Sequence, residues 1–147
     1  MADRQKGVGI IITHNKEKES TVTPASPSAA ITKRLDRFDV STEEWTELSS
    51  MNEARCGFAM HLYGDSLFSV GGTDGVKIHK TIEEYDIELN KWTLKAEMNT
   101  PRAFFQSVID DNYIYCIGGL TSNAFGSTSV TRLVERYNVI NNTWEVL

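Results

Sequence analysis

The sequence has few of the residues that mark several common protein classes. Its two cysteines, Cys56 and Cys116, are too few for a disulfide framework, and they are predicted to be reduced. The sequence contains no apolar run close to the roughly 18 residues that a membrane helix needs, and no stretch resembling a signal peptide. These absences predict a cytoplasmic location, with the nucleus as the alternative, and no membrane partner.

Positive charge is scarce in most of the chain. Residues 1–37 hold seven basic and four acidic side chains, whereas residues 38–147 hold eight basic and sixteen acidic ones. The net charge of −5 is therefore the sum of +3 and −8. An acidic main segment argues against a nucleic-acid partner, because such binders carry basic patches.

Signatures of catalysis and of metal or cofactor binding are missing as well. The three histidines, His14, His61 and His79, have no metal-ligand spacing, and neither a phosphate-binding glycine motif nor a hydrolase triad order occurs. The acidic pairs Glu43-Glu44 and Glu83-Glu84 are predicted to be solvated edge charges, because adjacent strand residues point to opposite faces. The sequence therefore predicts no enzyme activity and no cofactor.

What the chain does contain is an internal repeat. Residues 35–72 align without a gap on residues 82–119 at an offset of 47, which places Trp45 on Trp92. Trp92 recurs as Trp144 at an offset of 52, and the five added residues all fall between a glycine pair and a tyrosine. Because packed strands do not tolerate insertions, this interval is predicted to be a surface loop.

Each repeat is predicted to form four short strands, a to d, since β-branched and aromatic stretches alternate with Gly, Asn and Asp turn residues. The predicted strands are about 57–63, 67–70, 81–87 and 91–94, and then 104–109, 113–117, 133–139 and 143–146. The second strand b, 113–117, is apolar or aromatic throughout, which predicts burial on both faces. Antiparallel sheets repeated every ~50 residues favour an all-β fold of blades stacked around an axis.

The repeat resembles the kelch motif: a glycine pair closes strand b, a tyrosine lies in strand c, and a tryptophan follows seven residues later. Met51 to Arg55 and Met98 to Arg102 match the Met-x-x-x-Arg of that family. The aromatic and glycine positions, predicted to be structural, are Gly71, Gly72, Tyr85 and Trp92, then Gly118, Gly119, Tyr137 and Trp144, with Phe38 and Trp45 in the first repeat. The resemblance implies a kelch-type β-propeller segment of about three four-stranded antiparallel blades.

The first blade is predicted to be incomplete. Residues 1–30 are predicted to be a polar leader, in which residues 8–12 are a candidate degenerate strand. Residues 31–147 are predicted to hold the repeats: a partial blade at 31–48 and blades at 55–95 and 102–147. Two interpretations of the leader remain open. Either residues 8–12 are strand b of a blade that lacks strand a, or a disordered leader precedes strands c and d alone. The segment from His14 to Ala30 is predicted to be a long loop.

The closest likeness is to kelch-like adaptors, in which a BTB domain binds a cullin-3 ubiquitin ligase and the propeller recruits the substrate. No BTB-like segment occurs in this sequence. The resemblance implies a protein partner held by the b–c loops and d–a crossings, which antiparallel strands place on one rim. The candidate residues are Ser50, Asn52, Arg55, Thr73, Asp74, Lys77, Asn99, Arg102, Thr121, Ser122, Asn123 and Phe125. The two arginines have an alternative role, in which they bind backbone carbonyls or a carboxylate.

Two further functions compete with this interpretation. Some kelch-fold proteins are enzymes, including a copper oxidase and a sialic-acid isomerase, but the sequence offers no matching ligand set. The chain is alternatively an incomplete fragment, because propellers close with 4–8 blades and 147 residues hold about three. Its open blade faces then either associate with a second copy or belong against further blades.

Overall fold

A computed structural model describes the backbone of residues 9–12 and the whole of residues 31–147. The described residues form β-strands joined by turns and loops, which confirms the all-β prediction. The part of the chain that the structure covers contains no helix able to span a membrane. Val8 and the predicted loop from His14 to Ala30 lie outside the described residues.

The described residues of the first blade form three antiparallel strands. They are β1 (Gly9–Ile12), β2 (Leu35–Asp39) and β3 (Glu44–Leu48), in the order β1-β2-β3. β1 pairs with β2 along its whole length, in the place of strand b. The residues before Gly9, where a strand a would lie, are outside the described part of the chain.

The middle blade has four strands in sequential order: β4 (Ala59–Tyr63), β5 (Ser66–Val70), β6 (Ile82–Asp86) and β7 (Lys91–Leu94). They correspond to strands a, b, c and d. The observed bounds differ from the predicted ones by at most two residues. The short strands are β-branched and aromatic, and the turns between them contain Gly64 and Asn90, both with positive φ.

The last blade contains β8 (Gln106–Asp110), β9 (Tyr113–Ile117), β12 (Val134–Asn138) and β13 (Thr143–Val146), again in antiparallel order. Between β9 and β12 the chain forms two strands that were not predicted, β10 (Leu120–Ser122) and β11 (Thr128–Val130). They pair antiparallel with each other as a separate two-stranded ribbon. The predicted surface loop is therefore a β-ribbon.

The core lies between the blades, because successive residues of a strand point to opposite faces. On β5, Leu67 packs with Leu35 of the first blade, while Phe68 packs with Ile114 of the last blade. The middle blade is therefore buried on both faces. The same prediction for β9 is wrong: Ile114 is buried, but Ile117 is 44% exposed.

The aromatic pairs contribute to the contacts between blades. The Tyr85 and Trp92 rings lie 5.1 Å apart, and the Trp92 indole N–H donates to Ser49 O of the preceding blade at 2.7 Å. Trp144 donates in the same way to Ala96 O at 2.7 Å. These two tryptophans therefore join neighbouring blades, as expected from large rings with one polar tip.

The glycine pairs allow two chain segments to approach closely. Gly71 has φ 63°, and a Cβ at that position would lie 2.5 Å from Arg102 O. The adjacent Gly72 N–H donates to the same carbonyl at 2.9 Å. Any larger residue would push the next blade away, so these glycines serve packing.

Candidate functional site

The b–c loops and the ends of the d–a crossings are joined by backbone hydrogen bonds. Cys56 and Thr73 exchange two bonds of 2.9 Å, and Ala103 and Leu120 exchange bonds of 2.9 and 2.8 Å. In both complete blades the crossing therefore lies beside the loop of the same blade. We call this edge, formed by residues 53–56, 73–80, 100–103 and 120–133, the b–c rim.

The middle-blade loop is a turn organised by one side chain. Asp74 Oδ1 accepts hydrogen bonds from the backbone N–H groups of Val76 and Lys77, both at 2.8 Å. The bond from the Lys77 N–H is the main cause that lowers the Asp74 pKa. Thr73 Oγ1 also donates to Lys77 O at 2.6 Å. The turn presents Val76 at its tip, with the residue 95% exposed.

The last-blade loop uses an asparagine in the same way. Asn123 Oδ1 accepts from the N–H groups of Phe125 and Ser127 at 2.9 and 3.0 Å. Gly126, with φ 81°, follows the tip residue Phe125, which is 94% exposed. Val130 on β11 is 79% exposed. The ribbon therefore carries a phenyl ring in water on a hydrogen-bonded turn.

An ionic cluster supports the base of the middle-blade loop. The Glu53 carboxylate accepts from Lys77 Nζ at 2.9 Å, from Arg55 Nη2 at 3.2 Å and from the Thr81 hydroxyl. Burial alone would raise the Glu53 pKa, but the hydrogen bonds from Thr81 and Lys77 outweigh it and the pKa is lowered. His79, which is buried, lies with Nδ1 3.5 Å from this carboxylate. Lys77 is thus tied to the crossing of its own blade.

Arg55 and Arg102 lie beneath this surface. The Arg55 guanidinium is fully buried and donates to Glu83 Oε1 and to Gly71 O, both at 2.6 Å. Arg102 donates to Glu135 Oε1 at 2.7 Å and to backbone carbonyls of its own blade. A side chain without exposed surface cannot contact a partner, so this structure removes both arginines from the candidate site. Their alternative role, as ligands of carbonyls and a carboxylate, is the one observed.

Asn52 and Asn99 belong to the same networks. Asn52 donates its backbone N–H and its side-chain amide to Glu83 Oε2 at 2.8 and 2.6 Å. Asn99 makes the equivalent bonds to Glu135 Oε2 at 2.9 and 3.1 Å. Their polar groups are therefore used to fix the crossing, although both residues are exposed.

The prediction that Glu83 is a solvated edge charge is wrong, because Glu83 is fully buried. Its counterpart Glu135 is also fully buried, and its pKa is lowered, because the hydrogen bonds from Arg102 and Asn99 outweigh the burial that would raise it. The repeat alignment already marks these buried carboxylates. Every repeat has an acidic residue two positions before the strand c aromatic: Asp36, Glu83 and Glu135.

In the first blade, the buried acidic residue Asp36 is paired with an arginine two positions before it in the sequence. Arg34 Nε and Nη2 donate to the Asp36 carboxylate at 2.7 and 2.9 Å. Arg34 occupies the register position of Thr81 in the middle blade, so the cation that pairs with the buried carboxylate is the residue directly before β2. A paired cation is what a buried carboxylate requires.

Ser50 is exposed but lies away from the b–c loops. The adjacent Ser49 is bound by Asn90 of a c–d turn and by Trp92, at 2.9 and 2.7 Å. The predicted residues that the structure does bring to the b–c rim are Thr73, Asp74, Lys77, Thr121, Ser122, Asn123 and Phe125. Sequence reasoning missed Val76, for which a single valine in a polar loop gives no pattern signal.

No set of three or more His, Cys, Asp or Glu side chains within residues 9–12 and 31–147 is arranged to hold a metal ion.

Comparison with known proteins gives three findings. A sequence family described as the Kelch motif matches residues 54–99 and 101–147, which is more than half of the chain. Kelch-like protein 5 of Homo sapiens is 39% identical over 54 residues, which is 34% of this chain and 7% of that protein. A solved structure titled "Structure of YjhT" has a TM-score of 0.59 at 24% identity and covers 68% of this chain and 29% of its own, which shows the fold alone. The chain spans only a small part of the length of Kelch-like protein 5.

Proposed function

The chain belongs to the kelch-repeat family, and from that premise we propose that it is a protein-interaction module whose b–c rim binds a partner protein. One observation carries the proposal: Val76 and Phe125 are 95% and 94% exposed at the tips of two neighbouring loops. Asp74 and Asn123 hold both loops in place through backbone hydrogen bonds.

Preorganised loops favour binding because the partner does not have to order them. Burying an exposed valine or phenylalanine side chain contributes about 1.5–3 kcal/mol, so two such anchors supply about 3–6 kcal/mol toward the binding free energy, before the cost of association is subtracted. Thr73 and Lys77 lie in the same turn as Val76, and Asn123 lies in the same turn as Phe125, so each anchor has polar neighbours in its own loop. An apolar centre within a polar periphery is the usual arrangement of an interface.

We further propose that the module works by binding rather than catalysis, in the cytoplasm, and that its partner is a substrate recruited to a cullin-3 ubiquitin ligase. The support is the resemblance to kelch-like adaptors, together with the similarity to human Kelch-like protein 5. Co-immunoprecipitation of cullin-3 with the protein in its own cells tests this part separately. Absence of cullin-3, with the partner retained, would reject the ligase role and leave the binding role intact.

Affinity capture with matched variants tests the rim. Phe125→Ala and Val76→Ala remove the anchors, while Leu89→Ala removes an apolar residue that is 72% exposed on the c–d turn of the middle blade. We expect Phe125→Ala to weaken the main captured partner at least 10-fold, since anchor residues contribute about 2 kcal/mol or more. Leu89→Ala should retain wild-type binding. Equal loss in all three variants, or loss with Leu89→Ala alone, would reject the proposed surface.

A further inference from the structure

Phe104 has a backbone conformation that bulky residues rarely adopt. Its φ is 53°, in the left-handed region, where a Cβ comes too close to a backbone carbonyl oxygen. The other described non-glycine residues with positive φ are Glu43, Asn90, Asp111 and Asn142, all in turns between strands. Among the residues that the structure describes, Phe104 is therefore the only aromatic one in this conformation.

The repeat shows what the fold requires at this position. The offset of 47 places Phe104 on Gly57, which has φ 59°. The residues that follow them, Phe105 and Phe58, are equivalent, and each packs against a core cluster. The fold thus requires a left-handed residue at this position, which glycine supplies without strain. The side chain of Phe104 is an addition of the last blade.

Packing within the fold does not explain the added ring. Phe104 is 63% exposed, and one side of its ring lies against Gly57, where a Cβ would be 2.6 Å from the ring. The Phe104 N–H donates to Gly57 O at 2.7 Å, a bond that a glycine at position 104 would also make. The chain therefore holds a strained residue whose side chain is mostly in water. Strained residues of this kind cluster at binding and catalytic sites.

Phe104 lies at the border of the b–c rim, where the crossings of the two complete blades meet. It directly follows Ala103, which exchanges backbone hydrogen bonds with Leu120 at the base of the β10–β11 ribbon. Its own N–H reaches Gly57, at the end of the crossing into the middle blade. The exposed ring therefore belongs to the same edge of the molecule as the two b–c loops.

The chain around the ring is uncharged. Residues 56–58 and 103–106 contain no acidic or basic side chain, so this part of the rim favours an apolar contact over an ion pair. We propose that Phe104 is a specificity-determining residue whose exposed ring packs against an apolar side chain of the partner protein. The inference rests on the proposed function and adds a third anchor to Val76 and Phe125. An aromatic ring fixed by its backbone is the kind of residue that dominates interface energetics.

Thermal unfolding of two variants separates a binding role of the ring from a structural one. Phe104→Gly removes the ring and the strain together, and the relief of strain offsets the greater freedom of glycine in the unfolded chain. We therefore expect its unfolding midpoint to lie within about 2 °C of the wild-type value or above it. Phe105→Ala removes a packed ring one position away and should lower the midpoint by about 5 °C or more. A drop for Phe104→Gly as large as that for Phe105→Ala would assign the ring to the fold and overturn the proposal.

Affinity measurements on the same preparations test the binding role, with the main protein captured by the wild-type chain as the probe. We expect Phe104→Gly to weaken binding by about 10-fold or more. Phe104→Leu keeps an apolar side chain and should bind more tightly than Phe104→Gly. Wild-type affinity of Phe104→Gly, with binding still lost in Phe125→Ala, would overturn this inference and leave the proposed function intact. Wild-type affinity of both variants would reject the inference and the proposed function together.

Discussion

The two edges of the propeller segment are built differently. The c–d turns repeat one design in all three blades: Asp39, Asp86 and Asn138 each accept bonds from the backbone N–H groups two and three residues further on. A residue with positive φ closes every turn, at Glu43, Asn90 and Asn142. We call this edge the turn rim. The b–c rim, by contrast, has a short turn in the middle blade and a β-ribbon in the last.

The difference follows from what each edge contacts. Asn90 Oδ1 accepts from Ser49 N–H at 2.9 Å and from the Tyr85 hydroxyl at 2.7 Å, which joins the turn to the preceding blade. Asn142 makes the same two types of bond, to Ala96 N–H and the Tyr137 hydroxyl. A turn that bonds a neighbouring blade cannot change length. Among the described residues, the backbone hydrogen bonds of the b–c loop tips stay within their own loops, and the ion pair of Lys77 with Glu53 stays within the same blade, so these loops can vary and carry specificity.

The largest effect is expected beneath the b–c rim. Glu83→Ala removes the shorter of the two carboxylate contacts of the buried Arg55 guanidinium, which leaves only Glu53 at 3.2 Å, and it removes the acceptor that holds the crossing at Asn52. Removing one member of a buried pair costs about 3–5 kcal/mol of the free energy of unfolding. Urea unfolding followed by fluorescence measures the loss.

The neighbouring glutamate is the matched control for this prediction. Glu84 forms a partly exposed pair with Lys95, so Glu84→Ala should cost less than about 1 kcal/mol. Similar losses for the two variants would contradict the assignment of Glu83 as the support of the crossing.

An intermediate loss of stability is expected when the asparagine that fixes a turn is replaced on the turn rim, and a smaller one on the b–c rim. Asn90→Ala removes the acceptor of two hydrogen bonds and leaves an alanine at φ 51°. We expect it to reduce the free energy of unfolding by about 2–3 kcal/mol. Asn123→Ala, on the exposed ribbon, should cost about 1 kcal/mol or less and instead weaken partner binding. Denaturation midpoints measure the loss of stability, and partner affinities measured on the same preparations give the loss of binding.

Asn90→Gly divides the effect into its parts. Glycine accepts the positive φ without strain, so this variant should recover about 1 kcal/mol relative to Asn90→Ala. If Asn123→Ala destabilised the fold as much as Asn90→Ala, the contrast between a packed rim and a free rim would fail.

The smallest expected effect is a pH-dependent change in the middle-blade b–c loop that the last-blade loop does not show. The Asp74 pKa is lowered from 3.8 by the bonds that order its loop, so this stabilisation is present above pH 3.8 and is lost as pH falls through the lower folded value. The ribbon turn depends on Asn123, which does not titrate. We expect the Val76 and Lys77 amide resonances to shift with a midpoint below 3.8, and the Phe125 amide to stay unchanged over that range.

Asp74→Asn is the control for this titration, because it keeps the turn geometry and removes the ionisable group. Its Val76 and Lys77 amides should not shift with pH in the same range. A shift that persisted in this variant would assign the transition to another carboxylate, such as Glu53.

Local features were largely predictable from the sequence. The gap-free repeat predicted the bounds of the strands in the two complete blades to within two residues of the observed ones, because turn residues lie at the ends of these strands. The same alignment identified the aromatic pairs and glycines, whose roles depend on neighbouring blades that carry the same motif. The resemblance to kelch repeats predicted that the strands form blades.

Features that depend on a contact partner were not predictable in this way. Glu83 looks like one half of a solvated acidic pair until the crossing arginine is placed beside it. Strand β9 looks buried on both faces, yet the exposure of Ile117 depends on what covers the blade. The β10–β11 ribbon was missed because a polar, serine-rich segment carries no apolar alternation, and Val76 because exposure at a tip is set by the turn.

Site-specific photo-crosslinking tests the central claim most directly. A benzoyl-phenylalanine at position 125 on the b–c rim and another at position 89 on the turn rim are compared in cells that express the partner. We predict a covalent adduct with the partner from position 125 and none from position 89. An adduct from position 89 with none from position 125 would place the binding surface on the opposite rim and contradict the account.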